Sequence, residues 1–339
     1  MPNDSVTLKK IEMARKNIFS TIRETPVVSS AHLTSYCNAP IYLKLEHLQI
    51  TGSFKLRGAT NAILNLTERQ RKNGVVGVST GNHGRGLAYA ARAANVRCII
   101  CMSKLVPQNK IDGIRSHGAE VLIIGNSQDE AQVEVERLVK EEGMTMVPPF
   151  DHPDIICGQG TIGLEIFEAL PDLRLAIVPI SGGGLVSGVA KVLKEKVPNC
   201  KIIGVSMENG ASMYACQKAG NPILIEEKPT LADSLSGGIG LDNRYTFEMT
   251  SSLVDEIQLV SELEIAEAIR HAYWKESQII EGSGAVSLAA LISGKIRPSG
   301  LSVALICGGN IDMNLHHRII SGENVDMRHE YIRRKRCPK

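Results

Sequence analysis

Short, fully apolar runs alternate with helical stretches, and glycines cluster where a run gives way to a helix. VVGVS (75–79), VRCIICM (96–102), EVLIIG (120–125), LAIVPI (175–180), KIIGVSM (201–207) and LSVALIC (301–307) read as strands. GLAYAARAAN (86–95), a stretch near 108–117 and LVSGVAKVLKEKV (185–197) read as helices. Strands that are apolar on both faces and separated by helices belong to parallel sheets covered on both sides. Ser261 with Glu264 forms a capping box that opens a helix from about 262 to 277.

The expected fold class is therefore α/β, with two open parallel-sheet lobes. One lobe spans 65–145 and the other combines 1–64 with 146–322. No Ser/Pro-rich linker separates them, so one lobe reads as an insertion in the other. Residues 323–339, which end in RHEYIRRKRCPK, read as a basic tail. In open α/β sheets ligands bind at the carboxyl ends of the strands, where many of these glycines sit.

Composition narrows the function classes. Lys and Arg total 38 against 36 Asp and Glu, a net charge of +2 that favours neither nucleic acid nor an anionic membrane. Aromatic residues are 4% of the chain, too few for a base-stacking platform. No apolar run reaches the length of a membrane span, and the polar N-terminus does not resemble a signal peptide. The eight cysteines are scattered, which points to reduced thiols and a cytoplasmic setting. Cys98 and Cys101 form a CxxC inside an apolar strand, with no second pair at zinc-binding spacing.

Four constellations could carry chemistry. In Ser53-Phe54-Lys55-Leu56-Arg57-Gly58-Ala59, the plain reading of Lys55 and Arg57 is a solvated helix face. The functional reading is a desolvated Lys55 whose amine, freed of its proton, attacks a carbonyl. Ser79-Thr80-Gly81-Asn82-His83-Gly84-Arg85-Gly86 follows a strand and opens a helix, where backbone N–H groups favour an anion. It also reads as a tight turn with a satisfied His83. Ser181-Gly182-Gly183-Gly184-Leu185 can form a nest of amides for a phosphate, or a close-packed turn. Cys307-Gly308-Gly309-Asn310 ends the last strand and faces the same crevice, and Glu281-Gly282-Ser283-Gly284-Ala285 opens another helix. Gly158, Gly160 and Gly163 fit GxGxxG, but DHPDII before them is a poor strand and position 178 is Val, so nicotinamide binding is not expected.

Taken in order, TGSFKLRGA, GNHGRGLA, GQGT, SGGGL and CGGNID resemble the fold-type II (tryptophan synthase β-like) pyridoxal-phosphate enzymes. The likeness is to the serine/threonine dehydratase and serine racemase family and runs from about residue 20 to 315. STGNHGRG and TLADSLSGGIGLDNR look most like the hydroxyectoine-utilisation dehydratases. The resemblance implies pyridoxal 5'-phosphate in the cleft between the lobes, held by Lys55 as an imine. It implies Phe54 against the cofactor ring, Asn82 at its 3-oxygen and Ser181, Gly182, Gly183, Gly184 and Leu185 around its phosphate. It also implies Glu281 and Cys307 in the cofactor site, although Glu281 read alone could equally cap the helix that it opens. Ser79, Thr80, Gly81, Asn82 and His83 would take the substrate α-carboxylate, while Lys55 and Thr80 would act as the catalytic groups.

Three departures modify that expectation. Cys307 stands where many relatives carry Ser beside the pyridine nitrogen, and a neutral thiol is a weak partner. Thr80 stands where serine racemases carry a Ser acting on the second face, and its methyl stiffens χ1. The family's divalent-cation site expects a further acid where Glu208-Asn209-Gly210-Ala211-Ser212-Met213 offers Ser212 and Met213, so no metal is expected.

The implied activity is dehydration and deamination of a small 3-hydroxy amino acid to a 2-oxo acid and ammonia. L-Threonine and L-serine are the default substrates, and a hydroxyectoine-derived hydroxy-diamino acid competes. Ser127-Gln128-Asp129-Glu130-Ala131 lacks the Arg that hydroxyaspartate-acting relatives use. The chain ends soon after the catalytic lobe, which suggests catabolic use without isoleucine feedback. A serine racemase, a β-replacement synthase and a non-catalytic pyridoxal-phosphate or amino-acid binding protein are the alternatives. The family suggests a homodimer, with no nucleic acid and no membrane as partners.

Overall fold

The computed structural model describes residues 5–79, 81–104, 106, 108–125 and 128–327. Among the described residues ten strands form two sheets: β1 (Val27–Ser29), β2 (Ile41–Leu45), β3 (Val75–Val78), β4 (Cys98–Met102), β5 (Glu120–Ile123), β6 (Thr145–Met146), β7 (Leu175–Pro179), β8 (Lys201–Met207), β9 (Glu256–Val260) and β10 (Ser302–Ile306). The larger sheet runs β1-β2-β10-β7-β8-β9 and the smaller β5-β4-β3-β6. All neighbours are parallel except β1 on β2.

Both faces of the larger sheet are covered, as apolar parallel strands require. On one face Ile41, Leu43, Ala304 and Ile306 pack with Ala285, Val286 and Leu288 of helix Gly282–Ile292. On the other, Ala176, Val178, Val303 and Leu305 meet helices Pro153–Ala169 and Gly184–Lys196 through Ile162, Ile166, Val186 and Val189. The smaller sheet is covered by helix Asn82–Ala93 on one side and by helix Gln128–Glu142 on the other.

Strand order is what assembles the site. β10 lies between β2 and β7, with Ser302 opposite Ile41 on one side and Leu175 on the other. The carboxyl ends of these three strands lead to Lys55, Cys307 and Ser181, so residues far apart in sequence converge on one edge. In the smaller sheet β3 adjoins β6, which brings the Ser79–His83 turn beside Pro149 and Phe150.

Four charged side chains are sealed beneath that edge. Lys44 and Arg57 are 0% exposed, Glu46 is 0% and Glu165 is 6%. Arg57 Nε donates to Glu46 Oε2 at 2.9 Å, and its Nη2 reaches Glu46 Oε1 and Glu165 Oε2, both at 2.8 Å. Lys44 Nζ bonds Glu165 and donates to the Thr25 carbonyl at 2.7 Å. Burial opposes charge on Glu46, but the Arg57 guanidinium outweighs it and holds the carboxyl below its ordinary range. Arg57 is thus not on a solvated face.

The elements differ from the sequence reading in several places. Helix Asn82–Ala93 begins four residues before the expected Gly86, because the glycine-rich turn itself supplies its first turn. β1, β2, β6 and β9 were not visible as apolar runs. The GxGxxG lies inside helix Pro153–Ala169, where its glycines allow helices to touch. A Cβ on Gly158 would sit 2.6 Å from Gly58 Cα, and one on Gly188 would sit 2.6 Å from Gly160 N. Among the described residues Cys37, Cys98, Cys101, Cys157, Cys200, Cys216 and Cys307 are free thiols, while Cys337 and most of the basic tail lie outside them. No described helix is long and apolar enough to cross a membrane.

Breaking a buried ion pair by removing one partner costs about 3–5 kcal/mol, because the other charge stays buried. Arg57→Ala, which strands Glu46 and Glu165 together, is expected to lose that much in urea denaturation of the protein. A loss of under about 1 kcal/mol, the value of an exposed pair, would contradict the sealed network.

Candidate active site

Lys55 is the first residue of helix Lys55–Leu64, and Phe54 is its N-cap. The loop before it is stitched to the end of β10. Phe54 N–H donates to the Cys307 carbonyl at 3.1 Å, Gly309 N–H donates to the Gly52 carbonyl at 2.9 Å, and Ser53 bridges Gly308. Lys55 Nζ donates to the Pro149 carbonyl at 2.7 Å and lies 5.3 Å from the Phe54 ring centroid. Burial pushes the amine down to about 8, with Cys307 opposing the shift.

Two connected spaces meet at this amine. The inner one is a cavity of about 130 Å³ lined by Phe54, Lys55, Asn82, Ser181, Gly182, Gly183, Gly184, Leu185, Glu281 and Cys307. Every expected cofactor-contacting residue is therefore in one wall set. The outer one is a cleft of about 470 Å³ that Lys55, Ser79, Gly81, Asn82 and His83 line. Thr80 lies outside the described residues.

The glycine loop has a geometric reason for each glycine. A Cβ on Gly182 would meet the Phe150 ring at 2.4 Å, and one on Gly184 would meet the Phe150 carbonyl oxygen at 2.9 Å. Gly183, with φ +86°, is the N-cap of helix Gly184–Lys196. The first N–H groups of a helix have no partner within it, and they lie where this loop borders the cavity. The turn is thus closely packed on its Phe150 side, and its helix start faces the space beside Lys55.

A polar network closes the third side. Asn82 Nδ2 donates to Glu281 Oε1 at 2.6 Å, and Asn310 Nδ2 donates to Asn82 Oδ1 at 2.6 Å. Asn310 also accepts from Arg85 Nη1 at 2.9 Å. Burial, with Asp233 adding repulsion, raises Glu281 to about 7 against the Asn82 hydrogen bond. Gly308 is required beneath it, since a Cβ there would sit 2.3 Å from Glu281 Oε1. Burial raises the Cys307 thiol well above its ordinary value, so it is neutral, and its Sγ donates to the Ser283 carbonyl at 3.2 Å.

The Ser79–His83 turn is more committed than its sequence suggested. Ser79 Oγ accepts from Gly84 N–H at 3.0 Å, which occupies part of the helix start. His83 Nε2 lies 2.8 Å from the Val147 carbonyl and so carries the hydrogen it donates. Burial and the nearby Lys55 push His83 down to about 3, so it is a neutral ring. The satisfied turn and the anion-facing helix start coexist here. Glu208, the one carboxylate of the doubted metal segment, pairs with Lys295 Nζ at 3.3 Å. Ser212 Oγ donates to the Gly237 carbonyl at 2.7 Å.

Sequence reasoning missed Pro149 and Phe150, which lie between the glycine loop and the amine. It assigned no role to Asn310, although CGGN was singled out, nor to Ser234 and Ser236 within TLADSLSGGIG. Both serines line the two spaces. Lys110, on the outer cleft, pairs with Asp233 at 2.6 Å across the cleft mouth.

An amine poised for a carbonyl, a helix start suited to a phosphate and an unpartnered buried hydroxyl on Ser283 form the donor set for a phosphorylated aldehyde. The comparisons agree. The family of pyridoxal-phosphate dependent enzymes matches residues 18–308, and this chain belongs to it. Pyridoxal phosphate is its cofactor. A Sinorhizobium fredii protein provisionally named threonine dehydratase is 55% identical over 319 residues, covering 94% of this chain and 96% of that one. The L-threonine ammonia-lyase of Thermotoga maritima is 43% identical over 93% of this chain and 78% of its own length. The serine racemase of Dictyostelium discoideum superposes with a TM-score of 0.84 at 33% identity, covering 91% and 99%.

The neutral amine is the nucleophile, and it predominates above its pKa. In cofactor-free protein the rate of pyridoxal phosphate uptake is therefore expected to rise with pH and level off above about 8. Stopped-flow absorbance across pH 6–10 checks this (a range of about two units either side of the shifted value). A rise continuing to the ordinary lysine value would contradict the desolvated amine.

Proposed function

We propose that the protein is a pyridoxal-phosphate dehydratase and ammonia-lyase that converts a small 3-hydroxy amino acid to a 2-oxo acid and ammonia. L-Threonine and L-serine are the substrates that the named relatives favour. The observation that carries the reading is the desolvated Lys55 amine at the junction of the glycine-walled cavity and the Ser79–His83 cleft. When bound, the cofactor delocalises the electron pair left at the α-carbon.

The chain's own residues supply position and proton transfer. Lys55 would hold the cofactor at rest, and its amine, when free, would take the α-proton. Phe54 would lie against the ring, and Asn82, itself oriented by Glu281 and Asn310, would face the 3-oxygen. The N–H groups from Ser181 to Leu185 would hold the phosphate. Ser79, Thr80, Gly81, Asn82 and His83 receive the α-carboxylate, mainly through backbone N–H groups, because the His83 ring is already engaged. Cys307 would border the ring as a neutral group. Residues 1–64 with 146–322 form the cofactor-binding lobe and 65–145 the substrate lobe. The working form is a cytoplasmic homodimer.

A racemase reading draws support from the likeness to serine racemase, and Thr80 keeps the hydroxyl it would need. The hydroxyl's added methyl favours the lyase. A panel of L-threonine, L-serine, hydroxyaspartate and hydroxyectoine-derived hydroxy-diamino acids, with oxo acid and ammonia quantified, tests the substrate. L-Serine is expected to yield oxo acid faster than D-serine on chiral chromatography. Lys55→Ala is expected to lose about 10²–10⁴-fold or more in turnover, the range for a positioned acid–base group. Full activity in that variant would show that the Lys55 amine does not carry the chemistry.

A further inference from the structure

Five of the described residues line both the inner cavity and the outer cleft: Lys55, Asn82, Pro149, Ser234 and Ser236. They form the neck where the two spaces meet. The substrate amine meets the cofactor beside Lys55, and the α-carboxylate goes to the turn of Ser79, Gly81 and His83, which line only the outer cleft. The α- and β-carbons therefore lie in the neck. Most of its polar groups are already engaged. Lys55 Nζ donates to the Pro149 carbonyl, and Asn82 is held by Glu281 and Asn310. The hydroxyls of Ser234 and Ser236 remain to meet the β-substituent.

Of the two, Ser234 has its hydroxyl fixed in place by contacts. Its Oγ lies 3.4 Å from Asn82 Nδ2 and 3.4 Å from Asp233 Oδ1. Both distances exceed those of a well-formed hydrogen bond, so the hydroxyl turns to a ligand at little cost, and the residue is exposed. Its backbone is held firmly. Ser234 is the middle of the 3₁₀ turn Asp233–Leu235, in which Leu235 is buried and Asp233 accepts from Lys110 Nζ at 2.6 Å. Just before the turn, Leu231 N–H donates to Glu262 Oε2 at 2.7 Å, and the Leu231 carbonyl packs so closely on Gly282 that a Cβ there would sit 2.1 Å from it. We propose that Ser234 Oγ–H donates a hydrogen bond to the β-hydroxyl oxygen of the substrate and so selects 3-hydroxy amino acids. The proposal rests on the proposed function and adds a specificity-determining residue to it. The bond strengthens as the C–O bond breaks and the oxygen gains charge, and the serine keeps its proton.

The test measures kcat/KM of the holoenzyme for L-serine and for β-chloro-L-alanine in the wild type, Ser234→Ala, Ser234→Thr and Ser236→Ala. The two substrates differ only at the β-substituent and give the same oxo acid, and chloride leaves without the help of a hydrogen-bond donor. Ser234→Ala is expected to lower the ratio of the L-serine value to the β-chloro-L-alanine value about fivefold, the equivalent of one net hydrogen bond. A substitution that merely loosened the turn would lower both values together and leave the ratio in place. Ser234→Thr keeps the hydroxyl and should hold the ratio close to that of the wild type. A ratio that ignores Ser234→Ala, or that falls with Ser236→Ala instead, overturns the assignment while leaving the proposed function standing. A wild type that forms no oxo acid from L-serine or L-threonine refutes the proposed function, and the assignment falls with it.

Discussion

The active amine is aimed by a group of charges that never meets the ligand. Lys44, Glu46, Arg57 and Glu165 tie β2, the segment after it, the first turn of helix Lys55–Leu64 and the C-terminal third of helix Pro153–Ala169 into one sealed knot. Two cations face two carboxylates, so the knot is neutral. The planar guanidinium of Arg57 uses its fork in two directions at once, which fixes the helix rotation as well as its position. Lys55 lies two residues before Arg57, about 200° around the helix. Locking Arg57 inward therefore turns Lys55 outward to the cleft.

The neutrality of that knot matters for the amine. A lysine can be made nucleophilic by a neighbouring cation or by desolvation. Here burial is the main cause of the shift, and the buried Arg57 is not among its causes. A bare cation beside Lys55 would shift the pKa too, but it would compete with the helix start for a phosphate dianion. Because Arg57 is fully engaged by carboxylates, the anion-binding preference stays with the Gly183 turn. Close backbone contact serves the same end. Gly58 against Gly158 and Gly160 against Gly188 let three helices pack tightly beneath the site and keep water from the knot.

The parts of this architecture legible in the sequence are those encoded locally. The β3, β4, β7, β8 and β10 runs are apolar on both faces, and the glycine turns after β3 and β7 announce strand-to-helix junctions. The capping box at Ser261 and Glu264 forms as read, with Glu264 Oε2 accepting from Ser261 N–H at 2.7 Å. What failed was whatever depends on a distant partner. β2 (IYLKL) hides its strand character because Lys44 looks like a surface residue until Glu165 is placed beside it. β9 (EIQLV) is half-buried and carries Glu256 paired to Lys201 at 2.7 Å, so it reads as an amphipathic fragment. Arg57 looked solvated for the same reason. Phe150 left no signal, since its significance lies in the glycines 32 and 34 positions later that yield to its ring and carbonyl (182 − 150 and 184 − 150).

The electrostatics of the inner cavity argue for one class of reaction over another. Its described ionisable wall residues are Lys55, Glu281 and Cys307. The thiol is neutral, and Glu281, at about 7, shares its proton near physiological pH and turns its oxygen to Asn82. Glu281 is the one carboxylate among the described wall residues, and it is committed to Asn82. A cofactor ring bound here without a fixed positive charge would be a weaker sink for electrons and would serve best where those electrons move on at once. Loss of a β-hydroxyl provides that exit, because the leaving group takes up the charge as the α-proton departs. A reaction that must hold the same electrons on the ring while a proton arrives on the other face gains no such relief. The distribution of charge around the cavity thus favours elimination before any substrate contact is considered.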